Sequence, residues 1–457
     1  MVLNSSRKNN LLAFAAFFAL ATLIHANHLL NADEGYVLSV AWDIYNGKKL
    51  YTDIFAFAAP GAFYLIAGIW KIFGPSYFAA RIAGILAISF SAWGISKISS
   101  RFTNKQSAFL CGIFFIFTSA YWPLISYHIF NLALIIWAFY FSLSAVANKR
   151  LKIAALSGFF IGISALFLQH TSIIAFSALF AFFLLLAILE KSVLRIKQSF
   201  ALCVGALSAG VGIFLFWPPK LLWQNLILFP AKNYESAAAV PFVLLSCFLA
   251  LVPIAALILK KEMNREYAFL LFFQTMLFLS AYSLADHFHI IKFTFPLIAL
   301  SPVLFASAKK HIFLWRLNAY GAIFLSAFLI VYPSLLFLLV APPLNNNRQT
   351  ENAIKKISAI CADSEYIYSG PFLPNFYFEL RKKNPSPHHW LITNHHTPDQ
   401  FNEALRGLKE HQPSCAILNY KIVEKYNYEK NNPVDNYIKE NYNQIESIGN
   451  LDIYSLK

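Results

Sequence analysis

Asp33 and Glu34 stand side by side just past an apolar stretch that ends near residue 30. A carboxylate at the edge of a hydrocarbon layer is poorly solvated, so it tends to be kept for a task. One such task is general-base catalysis, in which the carboxylate takes the proton of an attacking hydroxyl. The competing reading is a solvated pair at the start of a helix, where the dipole favours negative charge. Both stay open at this point. A second group is Asp286–His287–Phe288–His289, with Lys292 close behind. Two imidazoles and an ammonium suit a phosphate anion; equally, they suit interfacial histidines and a lysine reaching up to headgroups. No metal set is assigned, because two His and one Asp at this spacing point only weakly to zinc; a divalent ion stays open. Arg81 offers either a bidentate phosphate clamp or a headgroup contact. Tyr36, Tyr51, Asp53, Lys232, Tyr234 and Glu235 lie in loop stretches able to touch a substrate, with interfacial anchoring as the alternative for the aromatics. Walker loops, GxGxxG, HExxH and serine-elbow motifs are absent.

The elements that must position these residues are membrane helices. Of 457 residues 58% are hydrophobic and 13% charged, with a mean hydropathy of +0.54; a soluble domain carries about 25% charged residues. Eleven stretches are long and apolar enough to span: 11–30, 78–96, 107–122, 128–147, 153–169, 171–189, 199–217, 240–259, 267–284, 290–308 and 317–341. The first is read as a retained span rather than a cleaved signal peptide. If the N-terminus is inside, 17 basic residues fall in inner loops and five in short outer loops, which satisfies the positive-inside rule. Pro60–Phe73 is too short to span and reads as an interfacial helix, as does Gly35–Asn46. This makes 31–77 a structured outer loop and 218–239 a second one.

The net charge of +15 raises the question of nucleic acid. From Asn345 onward 13 basic and 13 acidic residues cancel, so the excess of 24 basic over 9 acidic lies wholly in the membrane part. That distribution is topological and gives no nucleic-acid footprint. Residues 1–341 therefore read as an α-helical polytopic membrane unit with its C-terminus outside. Residues 342–457 read as a small α/β soluble domain. Strands are expected at Tyr366–Ser369, Trp390–Thr393, Ala416–Asn419 and Ile453–Leu456, and helices at Glu351–Ala359 and Pro398–His411. His388, His389, His395 and His396 read as solvated loop residues there. Cys361 and Cys415 either form a disulfide or stay as two buried thiols.

One ordered set of short pieces runs Asp33–Glu34–Gly35–Tyr36, Ala41–Trp42, Asn46–Gly47, Tyr51–Thr52–Asp53, Pro60–Gly61, Phe73–Gly74 and Ala80–Arg81. It resembles the first-loop signature of the C-type (GT-C) membrane glycosyltransferases, the superfamily of protein O-mannosyltransferases and aminoarabinose transferases. The resemblance extends more softly to Asp286-x-x-His289 and to the C-terminal segment, including Gly370–Pro371 and Asp452–Ile453–Tyr454. It implies a polyprenyl-phosphate sugar donor and an inverting transfer on the extracytoplasmic face of the cell's plasma membrane. The acceptor would be a glycolipid, a polysaccharide or a protein. By position Asp33 resembles the catalytic base, while Arg81, His287, His289 and Lys292 would hold the donor phosphate. The chain departs from the pattern in two places. Ala59 stands where relatives often carry Lys or His, and Tyr121–Asn131 holds no acid, only His128 and Asn131. A catalytically degenerate relative is therefore one alternative, and a transporter or flippase of a lipid-linked or small substrate is another.

Overall fold

The computed structural model describes residues 5–25, 32–233, 240–259, 263–281, 286–308, 313–340 and 345–457. Each of the eleven apolar stretches carries a helix: α1 (Ser5–His25), α4 (Tyr77–Ser99), α5 (Lys105–Thr118), α6 (Tyr127–Asn148), α7 (Leu151–Ala165), α8 (Gln169–Leu189), α9 (Val193–Gly210), α12 (Val240–Leu259), α13 (Arg265–Ser280), α15 (Phe295–Ala308) and α16 (Phe313–Val340). Among the described residues six helical segments are long and apolar enough to cross a membrane, including Tyr127–Asn148 and His287–Ala306. Short helices connect them: α2 (Ala32–Tyr45), α3 (Gly61–Phe73), α10 (Pro219–Trp223), α11 (Phe229–Asn233) and α14 (His287–Ile291). Ser76, Asn104, Ser126 and Asp286 cap α4, α5, α6 and α14 by accepting from a backbone N–H in the first turn.

Helix α2 lies almost wholly buried, from Glu34 to Ile44 with only Trp42 partly open. Helix α3 starts where Gly61 N–H donates to Leu166 O at 2.6 Å. A Cβ at Gly61 would sit 2.6 Å from that same oxygen, so the Pro60–Gly61 pair is what lets α3 seat on the end of α7.

Residues 345–457 form α17 (Asn345–Ile360), β1 (Ile367–Gly370), α18 (Asn375–Glu379), α19 (Pro398–His411), β2 (Cys415–Leu418), α20 (Pro433–Asn441), β3 (Tyr442–Ile448) and β4 (Leu451–Leu456). The sheet order is β1-β2-β4-β3, with β1 parallel to β2 and the other pairs antiparallel. Helix α19 has the expected bounds because its ends are written locally: Thr397 and Gln400 close a capping box and Pro398 opens the first turn. Cys361 and Cys415 are joined by a disulfide that ties the end of α17 to β2.

Two expectations for this segment fail for one reason. Trp390–Thr393 pairs with no strand, and His388, His389 and His396 are buried. The stretch packs instead against the α2–α3 region. Phe55 N–H donates to Pro387 O at 3.0 Å, and Trp390 meets Tyr36 and Phe57 edge-on. Helix α18 lies on α2 so closely that a Cβ at Gly35 would fall 2.7 Å from Asn375 Cβ. Phe378 stacks on Trp70 at 4.6 Å, and Arg381 sits 3.9 Å from the Phe378 ring while donating to Pro75 O. Asp43, 2% exposed, is held between Lys48 at 2.9 Å and His389 Nε2 at 3.2 Å. Burial alone would raise the Asp43 carboxyl, but the hydrogen bonds and charges of His389 and Lys48 hold it below the usual range. Burial in turn drives the His389 imidazole down against the pull of Asp43, so Lys48 is the more persistent positive charge of the pair.

Candidate active site

The two adjacent carboxylates split, because successive helical residues point about 100° apart. Glu34 turns inward. It is fully buried, and its Oε1 accepts from Leu124 N at 2.6 Å and Ile125 N at 3.1 Å. It thereby fixes the α5–α6 turn onto α2, and Ser126 two residues on starts α6. Asp33 turns the other way, open to solvent yet surrounded by protein. Its carboxyl is pushed up, first by this desolvation; Lys425 pulls it back, while Glu34 and Asp286 push it further up.

Next to Asp33 stand Tyr127 and Asp286, and through Asp286 it adjoins a polar cluster drawn from four elements. Tyr127 and His128 come from the first turn of α6, His170 from the first turn of α8, Asp286 and His289 from α14, and Lys292 from the turn that follows. Lys292, 2% exposed, donates to His128 Nδ1 at 2.9 Å and lies 4.9 Å from the Phe288 ring. His128 and His289 meet edge to face at 4.9 Å. Asp286 accepts from the His289 backbone at 2.8 Å and pairs with its ring Nδ1 at 2.9 Å. His170 and Asp286, like Asp33, are reached by solvent. The first turns of two helices of 22 and 21 residues thus face this recess, and their dipoles favour an anion there. The arrangement gathers an ammonium and three imidazoles able to donate to oxyanions, with Asp286 between them and Asp33. Among the described residues no group of three or more His, Cys, Asp or Glu is arranged to hold a metal ion.

The structure brings together Asp33, Asp286, His289 and Lys292 of the residues singled out from sequence. It separates the others. His287 lies on the opposite side of α14: the Tyr121 hydroxyl reaches its Nδ1 at 2.6 Å, and its Nε2 meets Leu329 O at 2.8 Å. Helical spacing explains this, since positions 289 and 292 share a face and 287 does not. Arg81 donates through Nη2 to His25 O, closing the C-terminus of α1. Tyr36 is core, and the Tyr51 hydroxyl donates to Ala58 O at 2.7 Å. Asp53 accepts from Lys49 N at 2.8 Å and lines a separate cleft of about 540 Å³ between its loop and α19. Lys232 is exposed on α11. Tyr234 and Glu235 lie outside the described residues.

Sequence reading missed four members: Tyr127, His128, His170 and Lys425. Polar side chains at the first turns of otherwise apolar helices were the available signal for the first three. Lys425 carries no local signal, because only the fold of residues 345–457 delivers it to Asp33.

The sequence profile described as dolichyl-phosphate-mannose-protein mannosyltransferase matches residues 58–223. No curated protein matches the chain. Among solved structures, ArnT from Cupriavidus metallidurans bound to undecaprenyl phosphate superposes with a TM-score of 0.63 at 11% identity, covering 97% of each chain. The apo form of that protein gives 0.64 at 11% identity, over 99% of this chain and 98% of that one. The oligosaccharyltransferase of Archaeoglobus fulgidus, tethered to an acceptor peptide, gives 0.50 at 10% identity over 98% of this chain and 74% of that one. With its apolar helices and its α2–α3 segment in place, the chain is a multi-pass membrane protein that shares the fold of the ArnT structures, and its residues 58–223 match the mannosyltransferase profile.

Proposed function

We propose that this chain is an integral-membrane glycosyltransferase that moves a sugar from a polyprenyl-phosphate donor to an acceptor hydroxyl on the extracytoplasmic face. The observation that carries the reading is a convergence. Asp33 lies beside Asp286, which pairs with His289, and His289 joins His128, His170 and Lys292 in one polar cluster at the first turns of α6, α8 and α14. Asp33 removes the acceptor proton as the acceptor oxygen bonds to the anomeric carbon. The bond from that carbon to the phosphate oxygen breaks on the opposite side, so configuration inverts. Polyprenyl phosphate leaves with its charge met by Lys292 and the imidazoles. The phosphate contact relocates here from position 59, where Ala59 is buried and can offer none.

Two features support this reading over transport. Between its two polar ends, each of the eleven apolar helices is free of Asp, Glu, Lys, Arg and His, whereas transporters place such groups near mid-membrane. Ion pairs mark the opposite end: Arg101 with Glu266 at 3.1 Å, and Glu190 with Arg195 at 2.8 Å and Arg265 at 3.0 Å. These lie in the basic loops that the positive-inside rule assigns to the cytoplasm.

The test is mass spectrometry of cell-envelope glycans with the gene deleted, then restored as wild type or as Asp33→Asn. One modification should disappear on deletion, return with wild type, and stay absent with Asp33→Asn inserted at the wild-type level. An unchanged glycan profile on deletion would overturn glycosyl transfer. Restoration by Asp33→Asn would remove Asp33 from the mechanism.

A further inference from the structure

The cleft that Asp53 lines is a second concave site. One wall is the loop that follows α2, with Lys48 and Asp53. The other is one face of α19, where Glu403, Arg406 and Glu410 recur at helical spacing. Residues 384–387 form the floor. The parts are tied to one another. Phe55 N–H donates to Pro387 O at 3.0 Å, and Lys48 Nζ donates to Asn384 O at 3.4 Å, so the loop is fastened to the floor. Helix α19 rests on that floor so closely that a Cβ at Gly407 would fall 2.2 Å from Pro385 O. Tyr366 closes the end, with His411 stacked on its ring at 4.2 Å. A volume of about 540 Å³ is within the range of small-ligand sites.

The lining selects a class of ligand. No Leu, Ile, Val, Phe or Met side chain faces the cleft, which disfavours a lipid tail. Among the described residues no metal-holding group of His, Cys, Asp or Glu is present. Lys48 is taken up by Asp43 at 2.9 Å and Glu403 by His388 at 2.8 Å, which leaves Arg406 with two carboxylates, Asp53 and Glu410. Two carboxylates against one guanidinium disfavour a phosphate or a polyanion. The same set suits hydroxyls, which donate to carboxylates and accept from Arg406. The rings of Pro385 and Pro387 add C–H surface beside these polar groups. A neutral ligand with hydroxyls around an apolar ring face, a saccharide, satisfies both kinds of lining.

The place of the cleft suggests its use. Asp33 stands at the start of α2, and Asp43, which holds Lys48, stands ten residues further on, about 15 Å along the helix. We infer that the cleft is a saccharide-binding site that anchors a glycan acceptor by sugars remote from the hydroxyl to be glycosylated. The acceptor is then a sugar chain several units long. Its anchoring role rests on the glycosyltransferase reading above; saccharide binding in the cleft does not.

The probe is the set of oligosaccharides released by mild acid from the envelope of the gene-deleted strain and separated by size. Each fraction is dialysed to equilibrium against the purified full chain as wild type, Arg406→Ala, Glu410→Ala and Asp33→Asn, and bound sugar is read by mass spectrometry. Wild type should retain one fraction. Loss of one charged hydrogen-bonding group should weaken its binding by roughly ten- to hundredfold in Arg406→Ala and in Glu410→Ala. Thermal unfolding of these two should match wild type, since both side chains are exposed. Asp33→Asn should bind the fraction as wild type does. In transfer assays the KM for that fraction should rise by a similar factor in the two α19 variants, with kcat changed much less. If wild type retains no fraction, or if both α19 variants bind like wild type, the cleft is no saccharide site and the glycosyltransferase reading stands without it. If binding weakens but KM does not move, the bound sugar is not the acceptor and the anchoring role falls. If deletion leaves the glycan profile unchanged while the cleft still binds a fraction, glycosyl transfer falls and the saccharide site stands.

Discussion

Neighbouring carboxylates with opposite surroundings should respond oppositely to substitution. Glu34 satisfies two buried backbone donors, and Glu34→Ala leaves both without an acceptor. That should lower stability by roughly 2–5 kcal/mol, seen as poor membrane yield and a lower melting temperature in detergent. Asp33→Asn removes a charge that burial disfavours, so it should melt at or above the wild-type temperature while losing about 10²- to 10⁴-fold in transfer. The same raised carboxyl sets the pH dependence. A base must be deprotonated, so the acid limb of kcat/KM should lie above the ordinary aspartate value of about 3.9. Lys425→Gln should move that limb further up, because Lys425 is the group that lowers the Asp33 carboxyl against the effects of Glu34, Asp286 and desolvation. A limb that stays put in Lys425→Gln would separate the two residues.

At the scale of elements, α2 does two jobs: Asp33 is carried at its start, and Gly35, two positions on, meets α18. The contact at Gly35 is backbone against backbone, with no room for a side chain. Gly35→Leu should drive α18 off α2 and destabilise the protein by about 1–3 kcal/mol or more. Protease sensitivity between residues 371 and 397 should rise with it. Helix caps were readable in advance where the signal is local, as Thr397–Gln400 shows. Strand β3 was not readable. Its sequence YNQIESI is polar and mostly exposed, and it exists because a turn at Gly449 (φ 63°) folds it back on β4. Trp390–Thr393 misled for the opposite reason: an apolar run looks like a strand whether it pairs in a sheet or packs on another surface.

For the whole molecule, the join between the C-terminal segment and the α2–α3 region is partly ionic. Asp43→Asn should cost about 1–3 kcal/mol near neutral pH, since it leaves Lys48 and His389 facing an uncharged amide. The sign follows from the depressed carboxyl of Asp43. Such a group stabilises above its unfolded value of about 3.8 and loses that contribution as pH falls through its lower folded value. The difference in melting temperature between wild type and Asp43→Asn should therefore hold from pH 5 to 8 and close below about pH 4. A gap that does not narrow at all as pH falls below 3.8 would mean that shape, not charge, makes this contact.

The sequence by itself determined the membrane helices, the direction of the charge bias and the α2–α3 segment, because each is encoded in runs of about 20 residues or fewer: apolar length, local basic residues, caps and Pro–Gly steps. It also marked Asp33, His289 and Lys292, whose polarity at helix ends is conspicuous against apolar surroundings. Only the tertiary structure decided which polar residues share a space. Asp33 parted from Glu34, and His287 from His289, through helical phase that depends on what each helix packs against. His170 and Lys425 joined the recess across more than 130 and 390 positions of chain. Contacts at such separations are fixed by the mutual packing of whole elements, which no local pattern records.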